Sequence, residues 1–135
     1  MIRATQDYFQ GHWLLVRIIE NVPEGIIGEV WGEASFADDG EGLTCREQGV
    51  MRFHGADYHT ERTSLWRFPE PGRVEVLYED GRPFHDFLTR DPIALTIDED
   101  ARYEIVYDFE PGTWISRWQL LGPGRNYMMT TRYRR

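Results

Sequence analysis

Apolar and polar residues alternate with a period of two through almost the whole chain, and this predicts short β-strands. The first runs from Gly11 to Ile19, the second from Gly28 to Phe36, the third from Gly42 to Phe53 and the fourth from Asp57 to Phe68. After Pro69-Glu70-Pro71-Gly72, a strong breaker, come Arg73 to Glu79, Pro83 to Thr89 and a short piece from Ala94 to Ile97. The last three are Tyr103 to Phe109, Thr113 to Leu121 and Arg125 to Tyr133. Asp80-Gly81, Glu110-Pro111-Gly112 and Gly122-Pro123-Gly124 are turn signals between them. Residues 3–10 allow one short helical turn that plugs an end. The expectation is an all-β single domain over 1–135, an antiparallel up-and-down barrel of nine to ten strands. A sandwich is the runner-up, disfavoured by the regular hairpin spacing.

Parity then assigns faces. Trp13, Leu15, Arg17 and Ile19 share one face of the first strand, and Gly32, Ala34 and Phe36 form the small apolar face of the second. In the third, Glu47 lies among Leu43, Cys45, Met51 and Phe53; in the fourth, Arg62 lies with Tyr58, Trp66 and Phe68. Later strands turn Tyr103, Tyr107, Trp114, Trp118, Tyr127 and Tyr133 inward. Three charges thus occupy inward positions: Arg17, Glu47 and Arg62. Such charges cost free energy unless paired or met by a ligand. Counting back from the turn at Gly55 sets Glu47 and Arg62 at similar heights, so they can neutralise each other, which leaves Arg17 as the expected anion site.

The net charge of −8 argues against nucleic-acid partners and anionic membrane surfaces. All 15 cationic residues are Arg, so lysine Schiff-base chemistry is excluded. A single cysteine, Cys45, excludes an intramolecular disulfide and a multi-cysteine zinc site. No apolar stretch reaches transmembrane length and the N-terminus has no apolar signal region, which makes the cytoplasm the expected location.

Motifs for a reaction are absent: no nucleophile elbow, phosphate loop or dinucleotide fingerprint. His85, within Asp80-Gly81-Arg82-Pro83-Phe84-His85-Asp86, is a candidate acid, base or ligand, and Asp86 faces the other way. His54 and His59 flank a turn without sharing a face, and no metal site is expected.

Gly11-His12-Trp13, with arginines ending the last strand, resembles the calycin pattern of lipocalins, which implies a late Arg, here Arg132 or Arg134, packed against Trp13. Some calycin-like barrels hold haem through a proximal histidine; His85 and His12 are the positions this would use, but neither is marked as axial, and no cofactor is expected. The chain is also similar to a bacterial and fungal family of unknown function with a calycin-like barrel. Gly11-x-Trp13-x-Leu15-x-Arg17, Gly32-x-Ala34-x-Phe36, Glu47-x-Gly49, Asp80-Gly81-Arg82-x-Phe84-His85 and Trp118-x-Leu120-x-Gly122-Pro123 with Tyr127 carry that resemblance. A His-x-Cys-x-x-Asp-x-Tyr stretch associated with that family corresponds here to Thr96, Asp98, Ala101 and Tyr103, so only its Tyr is kept.

The expected function is non-catalytic binding of an apolar or aromatic small molecule bearing an anionic group. Arg17, Glu47 and Arg62 would orient it; Tyr58, Trp66, His85, Tyr103, Trp118 and Tyr127 would contact it. The alternatives are an isomerase or hydrolase using His85 or Glu47 as acid or base, and a structural domain that forms a homodimer through Trp31 with Glu29 and Glu33.

Overall fold

The computed structural model describes residues 3–135, and ten antiparallel strands dominate it. They are β1 (Gly11–Asn21), β2 (Gly25–Asp38), β3 (Leu43–Phe53), β4 (Ala56–Arg67), β5 (Arg73–Tyr78), β6 (Pro83–Leu88), β7 (Ile93–Asp98), β8 (Ala101–Glu110), β9 (Thr113–Gly122) and β10 (Arg125–Arg134). Every expected strand is present; β1, β2 and β7 to β10 run on into their turns beyond the alternation, and β3 to β6 end within one residue of it. The sheet order is β6-β5-β4-β3-β2-β1-β10-β9-β8-β7, so β1 pairs with β10 and the sheet curls into a nearly closed up-and-down barrel. The β6 and β7 edges flank the seam, and the turn that joins them carries a bridge between Leu88 and Asp91.

Turn chemistry follows the sequence. Between β3 and β4 the two central residues, His54 (φ 50°) and Gly55 (φ 80°), both take positive φ, as a two-residue primed turn requires. Within the sheet, Gly32 and Gly49 face each other across β2 and β3. A Cβ on Gly32 would lie 2.1 Å from the Gln48 carbonyl oxygen, and one on Gly49 2.3 Å from that of Trp31. Only glycine allows this approach, and it lets the two strands bend together.

The parity assignment holds where burial tests it. Trp13, Leu15 and Arg17 are buried while Leu14 and Val16 are exposed; Ala34, Phe36, Leu43, Cys45 and Glu47 are buried as well. A register shift at Val76/Leu77 turns two consecutive residues of β6, Phe84 and His85, inward. In β7 the large residues Ile93, Leu95 and Ile97 point outward, and Ala94, Thr96 and Asp98 take the inner face. Pairing with β8 imposes this, because Ala94, Thr96 and Asp98 stand opposite Ile105, Tyr103 and Ala101.

The short helix α1 (Gln6–Phe9) closes one end. Its Phe9 is fully buried against Phe36, Trp66 and Trp114, with ring centroids 5.1 to 5.9 Å away. Trp13 donates its indole N–H to the Phe9 carbonyl at 2.8 Å. The guanidinium over Trp13, 3.9 Å from the ring, belongs to Arg135 and not to Arg132 or Arg134. The reason is parity: Tyr133 is buried, so Arg132 and Arg134 point to solvent, and the terminal Arg135 folds back to donate to the Tyr8 and Gln10 carbonyls. The other end, where the β1–β2, β3–β4, β7–β8 and β9–β10 turns gather, carries no such plug among the described residues. No helix among them is long and apolar enough to cross a membrane.

Candidate functional site

Glu47 and Arg62 are direct partners in the β3–β4 register, as counting from the turn implied. Yet the shortest ion pair of Glu47 is with Arg17, two strands away: Arg17 Nη2 lies 2.6 Å from Oε1. On β2, Val30 stands opposite Arg17 and Ala34 opposite Glu47, with only Gly32 between them on the inner face, so the long Arg17 side chain has room to reach across. Arg17 also donates through Nε to Thr131 Oγ1 at 2.7 Å. Glu47 Oε2 accepts from the Tyr133 hydroxyl at 2.6 Å and, less closely, from Arg62 Nη2 at 3.3 Å. Burial alone would raise the Glu47 carboxyl; the Arg62 and Arg17 charges and the Tyr133 hydrogen bond outweigh it and hold it at about 2. Glu47 is thus a permanent carboxylate shared by two guanidinium groups.

The expectation for Arg17 is therefore overturned. Arg17 is not left without a partner; it is the saturated member of the cluster. Its side chain is only 8% accessible, against 6% for Glu47 and 36% for Arg62. Arg17 and Glu47 border a crevice of only about 10 Å³. Arg62, in the middle of β4, borders that crevice too, but it also lines an inner cavity of the barrel. Its guanidinium stacks over Trp118, 4.6 Å from the ring.

This inner cavity has a volume of about 180 Å³. Trp66, Tyr107 and Trp114 lie towards the plugged end, and Tyr103 and Trp118 towards the open one. Beyond them a second, almost wholly apolar space of about 370 Å³ continues to the turns, walled by residues such as Ile19, Phe53, Leu120 and Met129. Tyr103 and Trp118 border both.

Of the nine residues singled out from sequence, Arg62, Trp66, His85, Tyr103 and Trp118 line the inner cavity and Tyr127 the outer one. Arg17 and Glu47 support Arg62 from behind. Tyr58 has the inward parity, but it sits at the β4 rim, half exposed opposite Met51, and borders neither space. Sequence reasoning missed Asp98, Tyr78 and Ser116, which also line the inner cavity. The signal for Asp98 was hidden, because Ile93, Leu95 and Ile97 make the opposite face of β7 look like the core.

His85 meets the Tyr107 hydroxyl through Nε2 at 2.7 Å and stacks against Phe87. Burial, with the Arg62 charge adding to it, depresses the imidazole to about 3, so it is neutral at physiological pH. Among the described residues its Nδ1 and the Trp114 Nε1 find no hydrogen-bond partner, and both atoms are buried in the wall. Two groups held so far below neutrality, Glu47 and His85, are weak bases, which disfavours proton abstraction by either. Burial also pushes the Cys45 thiol up, so it is an unreactive core residue. His59 pairs on the surface with Glu61 at 3.1 Å. Among the described residues no three His, Cys, Asp or Glu side chains gather as a metal site.

The chain belongs to the family of unknown function DUF6314, whose model matches residues 9–135, from the plug residue Phe9 through all ten strands. Comparison with curated proteins finds no match.

Proposed function

Starting from that membership, which brings no activity with it, we propose that this protein is a calycin-like carrier or sensor barrel. It binds one small apolar or aromatic molecule through an anionic group and does no chemistry on it. One observation carries this reading. Two arginines share a single carboxylate inside the barrel, and the one left incompletely neutralised, Arg62, is the one that faces the cavity. A half-buried guanidinium that lines an aromatic chamber is stabilised by an acceptor, and a carboxylate satisfies both its charge and its planar donor geometry. The Arg17–Glu47–Tyr133 network fixes the charge without filling the chamber. Native mass spectrometry of the protein isolated from its own host, beside the Arg62→Gln variant, tests it. A single small acid carried by the wild type and lost from the variant is expected. A bound molecule with no acidic group, retained by the variant, overturns the reading.

A second reading rests on a separate observation. Val16, Trp31 and Val50 are neighbours in one row across β1, β2 and β3, all pointing outward and exposed. This apolar row fits a face shared between two copies of the chain. Light scattering decides it: a strict monomer at high concentration contradicts a homodimer.

A further inference from the structure

Resting on the reading of Arg62 as an anion site, we propose that the ligand is bipolar, with its acid on Arg62 and an ammonium or strongly donating nitrogen on Asp98, and that Asp98 selects it.

Asp98 is the last residue of β7, turned inward by its pairing opposite Ala101, and it lines the same cavity as Arg62. It sits at the open end, where β7 turns into β8, whereas Arg62 lies in the middle of β4. Its Oδ2 accepts the Tyr78 hydroxyl at 2.6 Å, and it makes no ion pair among the described residues. The cations nearest the rim are engaged elsewhere. Arg82 pairs with Asp80 at 2.8 Å and stacks on Tyr78, and Arg125 pairs with Asp100 at 3.0 Å. One chamber therefore carries a guanidinium at depth and a carboxylate at its mouth that do not neutralise each other.

A ligand with only an acid would strip solvent from Asp98 as it filled the chamber and give nothing back, a cost charged to every purely anionic occupant. It would also pass the Asp98-Glu99-Asp100 turn on a chain of net charge −8. A zwitterion avoids both penalties. Size narrows the class further. A cavity of about 150 Å³ holds benzene, so about 180 Å³ accommodates one ring with small substituents. The occupant that fits is a single aromatic ring with a carboxylate at one end and an amine at the other.

The test is calorimetric titration at neutral pH with two probes of matched shape, para-aminomethylbenzoate and para-ethylbenzoate, against wild type and Asp98→Asn. The Asn variant keeps an acceptor for the Tyr78 hydroxyl. We expect the zwitterion to bind wild type at least about tenfold more tightly, as a charge-assisted hydrogen bond implies. Asp98→Asn should erase that preference from both sides, weakening the zwitterion and tightening para-ethylbenzoate, which no longer strips solvent from a carboxylate. Equal binding of the two probes by wild type, or equal weakening of both by Asp98→Asn, overturns the bipolar ligand while the anion site stands. Failure of both probes to bind wild type overturns the anion site itself.

Discussion

Arg17 reaches Glu47 across an intervening strand at 2.6 Å, although the in-register neighbour of Glu47 is Arg62. The barrel thus separates two roles that look alike in sequence. Arg17 neutralises the carboxylate, and Arg62 keeps donor capacity for the cavity.

That division predicts an order of stabilities. Glu47→Gln leaves two guanidinium groups facing each other inside the barrel and should cost the most, about 3–5 kcal/mol or more. Arg17→Met should fall near the lower end of that range, because Arg62 and Tyr133 still contact Glu47. Arg62→Met should cost only about 1–2 kcal/mol, since the closest partner of Glu47 survives. Urea unfolding gives the three values; an Arg62 variant as unstable as the Arg17 variant would show that the roles are not divided.

Acid should destabilise the protein in two windows. The unfolded chain protonates its histidine near 6.5 while His85 in the fold resists until about 3, so stability is full above 6.5 and falls as the pH drops from 6.5 towards 3. Glu47, depressed from 4.5 to about 2, adds a further loss between those values. Asp39, which hydrogen bonds from Thr44 and Arg67 hold at about 2 against its desolvation, contributes at the surface in the lower window. His85→Phe keeps a ring against Phe87 and Tyr107 and removes the upper window. Between pH 7 and 5 the wild type should lose about 2 kcal/mol more than this variant. Parallel pH profiles for the two proteins would refute the burial of a neutral His85.

The closed end depends on α1. Phe9→Ala should destabilise the fold by about 3–5 kcal/mol, since it empties a site packed by five aromatic side chains, Phe36, Trp66, Phe68, Phe109 and Trp114. Arg135→Ala removes a cation over Trp13 and its donors to α1, for about 1–2 kcal/mol. Thermal unfolding should rank them in that order, and a silent Phe9→Ala would mean the plug is not part of the core.

Gly49→Ala introduces a methyl group into the Trp31 carbonyl, where backbone must move. The expected cost is about 1–3 kcal/mol or more. Because β2 and β3 carry the crossing between Arg17 and Glu47, the variant should also weaken that ion pair, read as a rise in the Glu47 pKa by NMR. An unchanged pKa would show that the strands relax without disturbing the cluster.

The strands and most of their faces were legible in the sequence because both rest on a local rule, alternation bounded by turn residues. The Glu47–Arg62 register was legible too, since it follows from counting back from one hairpin. The true partner of Glu47 was not, because Arg17 meets it through the interior and alternation within a strand says nothing about which residues face each other across a curled sheet. Asp98 escaped for a related reason: the register with β8, not the hydrophobicity of β7, decides which face turns in. Arg135 was the one correction available beforehand, since the parity that buries Tyr133 already sends Arg132 and Arg134 outward.

The most direct test of the account is the affinity of the barrel for para-ethylbenzoate against its neutral analogue para-ethylbenzamide, measured by titration on wild type and on Arg62→Gln. The account predicts that wild type prefers the acid by about tenfold or more and that Arg62→Gln loses this preference while still binding the amide. Equal affinity for acid and amide in the wild type, or a preference that survives in Arg62→Gln, would contradict it.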